Sequence, residues 1–235
     1  MGAGTRPPKS QIGENCNLMD AWFKYPKTLH FPWSPGLQND DRMMPMEDVL
    51  SNFSGHDVVI SEKLDGENTS LYRDHIHARS VYSGDHPSRS WVKALHGRIK
   101  NDIPEGWRIC GENVFAHHSL FYNDLETYFY VFGIYNEENI CLSWKETCEW
   151  CSLLDLHTVP VLWNDPFQLD IIQNQLPLTL DFTEVEGFVM RNTNSFRYLD
   201  FQKNVAKFVR KGHVQTDQHW MSKPVVKNLL KDDSI

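Results

Sequence analysis

The apolar run Val58-Val59-Ile60 leads directly into Ser61-Glu62-Lys63-Leu64-Asp65-Gly66-Glu67-Asn68, and no other stretch constrains the chain as much. The run reads as a strand, and Asp65-Gly66 as the turn that ends it. Side chains alternate along a strand, so Lys63 and Asp65 point to one face while Glu62 and Leu64 point to the other. A lysine and a carboxylate thus share a surface at a strand end, where α/β proteins commonly build ligand sites. An ammonium group that titrates near ~10.4 is a poor nucleophile at neutral pH. It becomes one when desolvation, or another cation nearby, lowers that value. Taken alone, Lys-x-Asp-Gly is usually a hairpin turn with a solvated lysine, so the downstream chain decides its meaning.

Downstream, short β-prone runs alternate with a few helical patterns. Met46 to Phe53 suggests a short helix ahead of the lysine strand. Thr69 to Tyr72 and His75 to Tyr82 read as the next strands, turning at Arg73-Asp74. Ser90 to Ile103 fits an amphipathic helix with Trp91, Leu95 and Ile99 on one side. Trp107 to Phe115 and Tyr128 to Tyr135 are strand-like, and Asn136 to Asn139 turns the second into Ile140-Cys141-Leu142. Ser143-Trp-Lys-Glu146 is a capping box that opens a helix running through Leu154. A Thr158 to Leu162 strand, a helical piece near Leu169 to Asn174, and strands at Glu184 to Arg191 and Asn204 to Val209 complete the set. Mixed short strands with interspersed helices predict an α+β fold with a large antiparallel component. The simplest division is a flexible lead-in over 1–20, one domain over 21–220 and a short tail over 221–235.

The aromatic and proline-rich segment from Ala21 to Gly36 cannot be regular helix, because Pro26, Pro32 and Pro35 interrupt it. It reads as an extended arm, either offering Lys24, Lys27 and His30 to phosphate or serving as a hydrophobic cover. Apolar content of 40% and charged content of 23% in 235 residues fit a globular protein in water. No run approaches the ~20 apolar residues of a membrane helix, and the first residues lack the apolar core of a secretory signal. Five cysteines, an odd number, predict reduced thiols and a cytoplasmic setting. Cys148 and Cys151 have metal-like spacing, yet they share one helical face with Trp144 and Leu154 and lack a second ligand pair, so they read as core thiols. A net charge of −8 argues against non-specific coating of nucleic acid. From Arg191 to His213, however, six basic residues face one acid, Asp200, so any polyanion site is local.

Six stretches together resemble the motifs of the covalent nucleotidyltransferase superfamily, which comprises ATP-dependent RNA and DNA ligases and the GTP-using mRNA capping enzymes. Lys63-Leu-Asp-Gly looks like the motif whose lysine forms a lysyl-nucleotide phosphoramidate, with Glu62 and Leu64 beside it at the nucleotide. His77-Ala-Arg79-Ser80 looks like the motif whose arginine contacts the donor nucleotide or a 5′-phosphate. Cys110-Gly-Glu112-Asn resembles the motif whose glutamate bonds the ribose, and Tyr130-Val-Phe132-Gly-Ile-Tyr the one whose aromatic stacks on the purine. Glu186-Gly-Phe-Val-Met-Arg191 resembles the motif whose glutamate helps hold a catalytic metal. Val205-Ala-Lys207-Phe-Val-Arg looks like the motif that brings lysine to the α-phosphate. The chemistry suits these residue types. Charge developing on phosphate oxygens calls for fixed cations such as Lys207 and Arg79, and a carboxylate such as Glu186 suits Mg²⁺.

The resemblance is nearest to the nick-sealing RNA ligases of phages and bacteria, through Asn68 five residues after the lysine and through Glu-Gly-Phe-Val-Met-Arg. The aromatic arm and residues 205–220 look similar to bacterial RNA ligase family proteins. There are departures. An acid usually follows the motif phenylalanine, where Gly133 stands here. The last motif usually carries two lysines one residue apart, and here Val205 and Val209 fill the neighbouring positions. Lys203, Arg210 or Lys211 must substitute, and Lys203 ranks first on strand parity, being four residues from Lys207 and on its face if the segment is a strand. The resemblance implies a ligase-type nucleotidyltransferase domain of largely antiparallel sheets with flanking helices and no OB-fold. It implies ATP and Mg²⁺ (or Mn²⁺) as cofactors and RNA 5′-phosphate and 3′-hydroxyl ends as partners, with no membrane and no obligate protein partner. Lys63, Asp65, Asn68, Glu186 and Lys207 would carry the chemistry. A minimal DNA ligase, a guanylyltransferase and a catalytically silent relative are the alternatives.

Overall fold

The computed structural model describes residues 22–38, 41–212 and 224–231. The expected lead-in, His213 of the basic stretch, and the 213–220 part of the expected domain lie outside the described residues. In chain order the elements are β1 (Leu29–His30), α1 (Met46–Phe53), β2 (Asp57–Glu62), β3 (Glu67–Tyr72), β4 (Ile76–Ala78), α2 (Ser90–Ile99) and β5 (Arg108–Asn113). Next come β6 (Phe129–Tyr135), β7 (Ile140–Cys141), α3 (Trp144–Leu153), β8 (His157–Thr158), β9 (Val161–Pro166) and α4 (Leu176–Thr179). The last are β10 (Gly187–Asn192), β11 (Phe196–Arg197), α5 (Phe201–Asn204) and β12 (Val205–Val209).

The strands form two sheets, ordered β1-β12-β10-β2-β9 and β11-β7-β6-β5-β3-β4, with β8 alongside β6. Among the strand pairs of the described residues only β1–β12 and β6–β8 are parallel, so the expected antiparallel α+β character holds. No helix among the described residues is long and apolar enough to cross a membrane.

Alternation along the strands sets the layering. In the first sheet Val58 and Ile60 of β2 pack with Phe188, Met190, Ala206 and Phe208 against Val49 and Phe53 of α1. In the second, Leu71, Ile109, Phe129 and Val131 pack against Val92, Leu95 and Ile99 of α2 and Cys151 of α3. Burying each such large side chain contributes about 1.5–3 kcal/mol. The other faces meet. Val59 packs with Tyr130, Trp144 and Val159, and Val205 with Cys110, Tyr135 and Phe201. Helices therefore cover the outer faces, and a cleft opens between the inner ones.

Several expectations are corrected. Asp65-Gly66 follows the end of the lysine strand as expected, but it leads into the other sheet rather than into a hairpin partner, because β2 lies in the first sheet and β3 in the second. Residues 63–66 are the crossover between sheets, with Lys63 N–H still bonded to Gly187 C=O at 2.9 Å. The single strand expected from Thr158 to Leu162 divides between the two sheets. Val159 donates to Val131 of β6 at 3.0 Å, whereas the Pro160 carbonyl accepts from Glu62 of β2 at 2.9 Å. Proline has no N–H to continue a ladder, so the chain changes sheet there. The strand beginning at His75 stops at Ala78, whose N–H is taken by Ser83 Oγ at 2.8 Å rather than by a partner strand. The capped helix is α3 as expected. Ser143 Oγ accepts from Glu146 N at 3.3 Å, and Ser143 N donates back to Glu146 Oε2 at 2.9 Å. Cys151 is buried and Cys148 half-buried in that helix.

Residues 224–231, expected as part of a tail, dock on the second sheet's end. Buried Asn228 donates to Val114 C=O at 2.8 Å and accepts from Tyr122 N at 3.0 Å.

Candidate active site

The inner faces enclose a cleft of about 1150 Å³. Strand register determines what reaches it. Ser61, Val189 and Lys207 sit opposite one another across β2, β10 and β12, and opposed residues share a face. On the second sheet Asn68 of β3 is opposite Glu112 of β5. Among the cleft's walls are Glu62, Lys63, Leu64, Asp65, Asn68, Arg79, Glu112, Phe132 and Lys207.

Lys63 is the centre. Its Nζ lies 2.5 Å from Glu186 Oε1, and that glutamate side chain is fully buried. Glu186 sits at the start of β10, where Gly187 lets the strand approach β12. A Cβ at Gly187 would lie 2.0 Å from the Phe208 carbonyl oxygen. Burial pulls the Lys63 pKa down, but the Glu186 and Glu112 carboxylates more than compensate, so the net shift is upward. In the resting cleft the surroundings therefore hold this lysine protonated rather than depress its pKa.

Glu112 lies on the opposite wall, its Oε1 accepting from Gly66 N at 3.2 Å. Burial, opposed by Lys63 and reinforced by Glu186, pushes its carboxyl up to about 8. The crossover runs so close to β5 that a Cβ at Gly66 would meet the Asn113 carbonyl oxygen at 2.5 Å. Leu64 is buried and Glu62 half-buried, the latter with its carboxyl raised by burial.

Asp65 faces the loop after β5. Its Oδ2 accepts from Ser119 N at 2.7 Å, Ser119 Oγ at 2.6 Å and Leu120 N at 2.8 Å. Burial would raise its pKa, yet these bonds bring the net shift below the ordinary value. Asn68 is half-buried, and its Oδ1 has no hydrogen-bond partner among the described residues. Buried polar atoms are ordinarily satisfied, so this oxygen is poised to receive a donor.

Phe132 meets Tyr25 edge-on, with centroids 4.9 Å apart, and Tyr25 in turn packs edge-on to Phe201 at 5.2 Å. The aromatic arm thus forms one wall of the cleft. Lys207 is nearly buried, its Nζ 3.8 Å from Asp41 Oδ1. Burial, with Lys63 nearby, lowers its pKa to about 8. Arg79 is exposed at the rim and contributes to that lowering.

Some expected cations are elsewhere. Lys203 is in α5, not on a strand, so the parity argument fails; its Nζ pairs with Asp200 at 2.9 Å on the surface. His30 is buried with its pKa pulled to about 4 by desolvation and Lys207, so it is neutral at pH 7 and offers phosphate no charge. Lys24 is exposed and outside the cleft wall. The basic stretch is not one stripe. Arg191 is buried, donating to Leu142 C=O at 2.7 Å, whereas Arg197 and Lys211 are exposed.

Sequence reading missed Asp41 and Arg89. Arg89 is buried and grips Glu67 with two bonds of 2.6 Å at the cleft mouth. Both roles arise from long-range pairing and leave no local pattern.

No cluster of three or more potential metal-ligating His, Cys, Asp or Glu side chains occurs among the described residues. A hard divalent ion often needs only one or two carboxylates, taking water and phosphate oxygens for the rest. Buried Glu186, with Glu112 nearby, fits that donor set.

Solved structures of similar fold include three ligases. The first form of an archaeal ATP-dependent RNA ligase matches with TM-score 0.54 and 17% identity over 79% of this chain and 48% of that one. The second form matches with TM-score 0.53 and 15% identity over 74% and 48%. A putative ATP-dependent DNA ligase from Aquifex aeolicus matches with TM-score 0.52 and 19% identity over 80% and 50%. This chain therefore spans about half the length of those relatives. No curated protein matches it. The family model described as RNA ligase matches residues 56–209, from the strand before Lys63 to the strand bearing Lys207, and the chain belongs to that family.

Proposed function

We propose that the cleft binds ATP and that the protein joins RNA 5′-phosphate and 3′-hydroxyl ends through an adenylylated Lys63. The observation that carries this reading is the convergence of Lys63, Glu112, Phe132 and Lys207 at one cleft between two sheets, with Glu186 buried against Lys63. Lys63 Nζ attacks the α-phosphorus and pyrophosphate leaves; AMP then passes to an RNA 5′-phosphate, and a 3′-hydroxyl displaces it. Phe132 offers a ring to the purine, braced by Tyr25. Glu112 receives a ribose hydroxyl. Lys207 and Arg79 stabilise charge on the α-phosphate oxygens. A divalent ion, Mg²⁺ by the expectation above, would be held by Glu186 and would neutralise phosphate charge.

Asp65 acts by tying the Ser119-Leu120 loop to the crossover that carries the lysine. Asn68, with its unpartnered oxygen, suits contact with the RNA end. Lys207 and the cleft mouth, rather than a continuous 191–213 stripe, would meet the RNA locally.

Incubation with ATP radiolabelled at the α-phosphate and Mg²⁺, followed by denaturing electrophoresis, tests the reading. Wild type is expected to carry a label that Lys63→Ala lacks. Because the carboxylates hold Lys63 protonated, the labelling rate is expected to rise with pH through the alkaline range. Sealing of nicked RNA and DNA duplexes and of single-stranded RNA then distinguishes substrates. An unlabelled wild type would sink the ligase reading.

A further inference from the structure

The cleft has a second ammonium group beside Lys207, and it comes from the arm rather than from the sheet. Lys27 Nζ lies 3.7 Å from Asp41 Oδ1, and Lys207 Nζ lies 3.8 Å from the same oxygen. Lys27 and Asp41 both line the cleft. The carboxylate that joins the two lysines is fixed. Its side chain is only 3% exposed, and its Oδ2 accepts from Gln38 N at 3.2 Å and lies 3.1 Å from His30 Nε2. The register places His30 directly opposite Lys207 in the parallel β1–β12 pair, so the arm's position is set by the sheet.

We infer that Lys27 and Lys207 form a two-lysine clamp for the phosphates of the nucleotide, with Lys27 binding the β- and γ-phosphates. This rests on the reading of the cleft as a nucleotide site and deepens it. The charge inventory favours such a group. A triphosphate brings several negative charges into a cleft that Asp41 already lines, with Glu186 buried against Lys63. Lys63 is paired to Glu186 at 2.5 Å, and Arg79 stands at the exposed rim. Lys207 alone therefore leaves most of the polyphosphate without a fixed cation. Lys27 is 31% exposed against 9% for Lys207. It therefore stands nearer to solvent than Lys207 does. A shared carboxylate keeps both ammonium groups in place without the entropy of two free side chains.

Equilibrium binding of ATP and of AMP, each titrated into wild type, Lys27→Ala and Lys27→Arg, tests the clamp. The expected result is a loss of about tenfold or more in ATP affinity for Lys27→Ala, as for a lost charge-assisted hydrogen bond. AMP affinity should stay within about twofold on the same affinity scale, and Lys27→Arg should recover ATP binding. Equal losses for ATP and AMP, or no loss for either, would overturn the inference. Wild type that binds neither nucleotide would overturn both the clamp and the reading beneath it. Wild type that binds ATP with the expected Lys27 dependence, yet forms no Lys63 adduct, would sink the ligase reading and leave the clamp standing.

Discussion

Glu112 shows how much a single position can combine stability and binding. Its carboxyl is pushed up to about 8, first by burial, against the attraction of Lys63. In the unfolded chain it would ionise near the usual ~4.3. Between those values the native state carries more protons than the unfolded state, so stability falls as pH rises. Below ~4.3 the penalty is absent, and above about pH 8 it is complete. Glu112→Gln keeps an oxygen for Gly66 N–H and removes the titration. The variant is expected to gain on the order of a few kcal/mol over wild type in urea unfolding at pH 8.5, and almost nothing at pH 4.5. An equal gain at both values would mean that packing, not ionisation, is responsible. Glu112 was legible because Cys-Gly-Glu-Asn is a contiguous pattern on a β-prone run. Asp41 was not. Its importance comes from Lys27 and His30 of the arm and from Lys207 of the distant β12, which approach it from two separate places in the chain.

At the scale of elements, most strands and helices were legible because alternation and capping are local. α1 matches its expected span, and α3 follows its capping box. What was not legible is which sheet each strand joins. The crossover at 63–66 and the change of sheet at 159–160 depend on partners far away in sequence, and a hairpin has the same local signature. Lys203 failed for a related reason. The segment before Val205 closes one helical turn after Asp200, so a parity count begun there starts in the wrong structure. The docked 224–231 segment is another non-local element. Asn228 completes the loop after β5 by bonding Val114 C=O and Tyr122 N. The same loop presents Ser119 to Asp65, and Tyr122 OH accepts from Asp65 N at 2.9 Å. Asn228→Ala leaves several buried groups unpaired, at about 1–3 kcal/mol for each group left unsatisfied. A lowered unfolding midpoint is expected, together with faster amide exchange over 114–122. Lowered stability with unchanged exchange in that loop would deny the segment its bracing role.

Taken whole, the molecule is two sheets whose outer faces are covered and whose inner faces share one cleft. The covalent ties between them are short, and part of the apolar packing that joins them lies behind the cleft-lining Val59 and Val205, in clusters shared with Tyr130 and Tyr135 respectively. A nucleotide held by Lys207 on the first sheet, and by Glu112 and Phe132 on the second, can bind only when both sheets are formed. Linkage then fixes the size of its effect. At a free concentration ~100 times its Kd, it stabilises the native state by about 2.7 kcal/mol. Denaturant unfolding with and without AMP, followed by tryptophan fluorescence and by far-ultraviolet circular dichroism, is expected to give one transition that moves as a unit by that amount. Trp163 packs on the first sheet's outer core and Trp91 on the second's, so fluorescence samples both layers. Two transitions, of which AMP moves only one, would mean that the ligand is held by a single sheet and that the cleft is not the site.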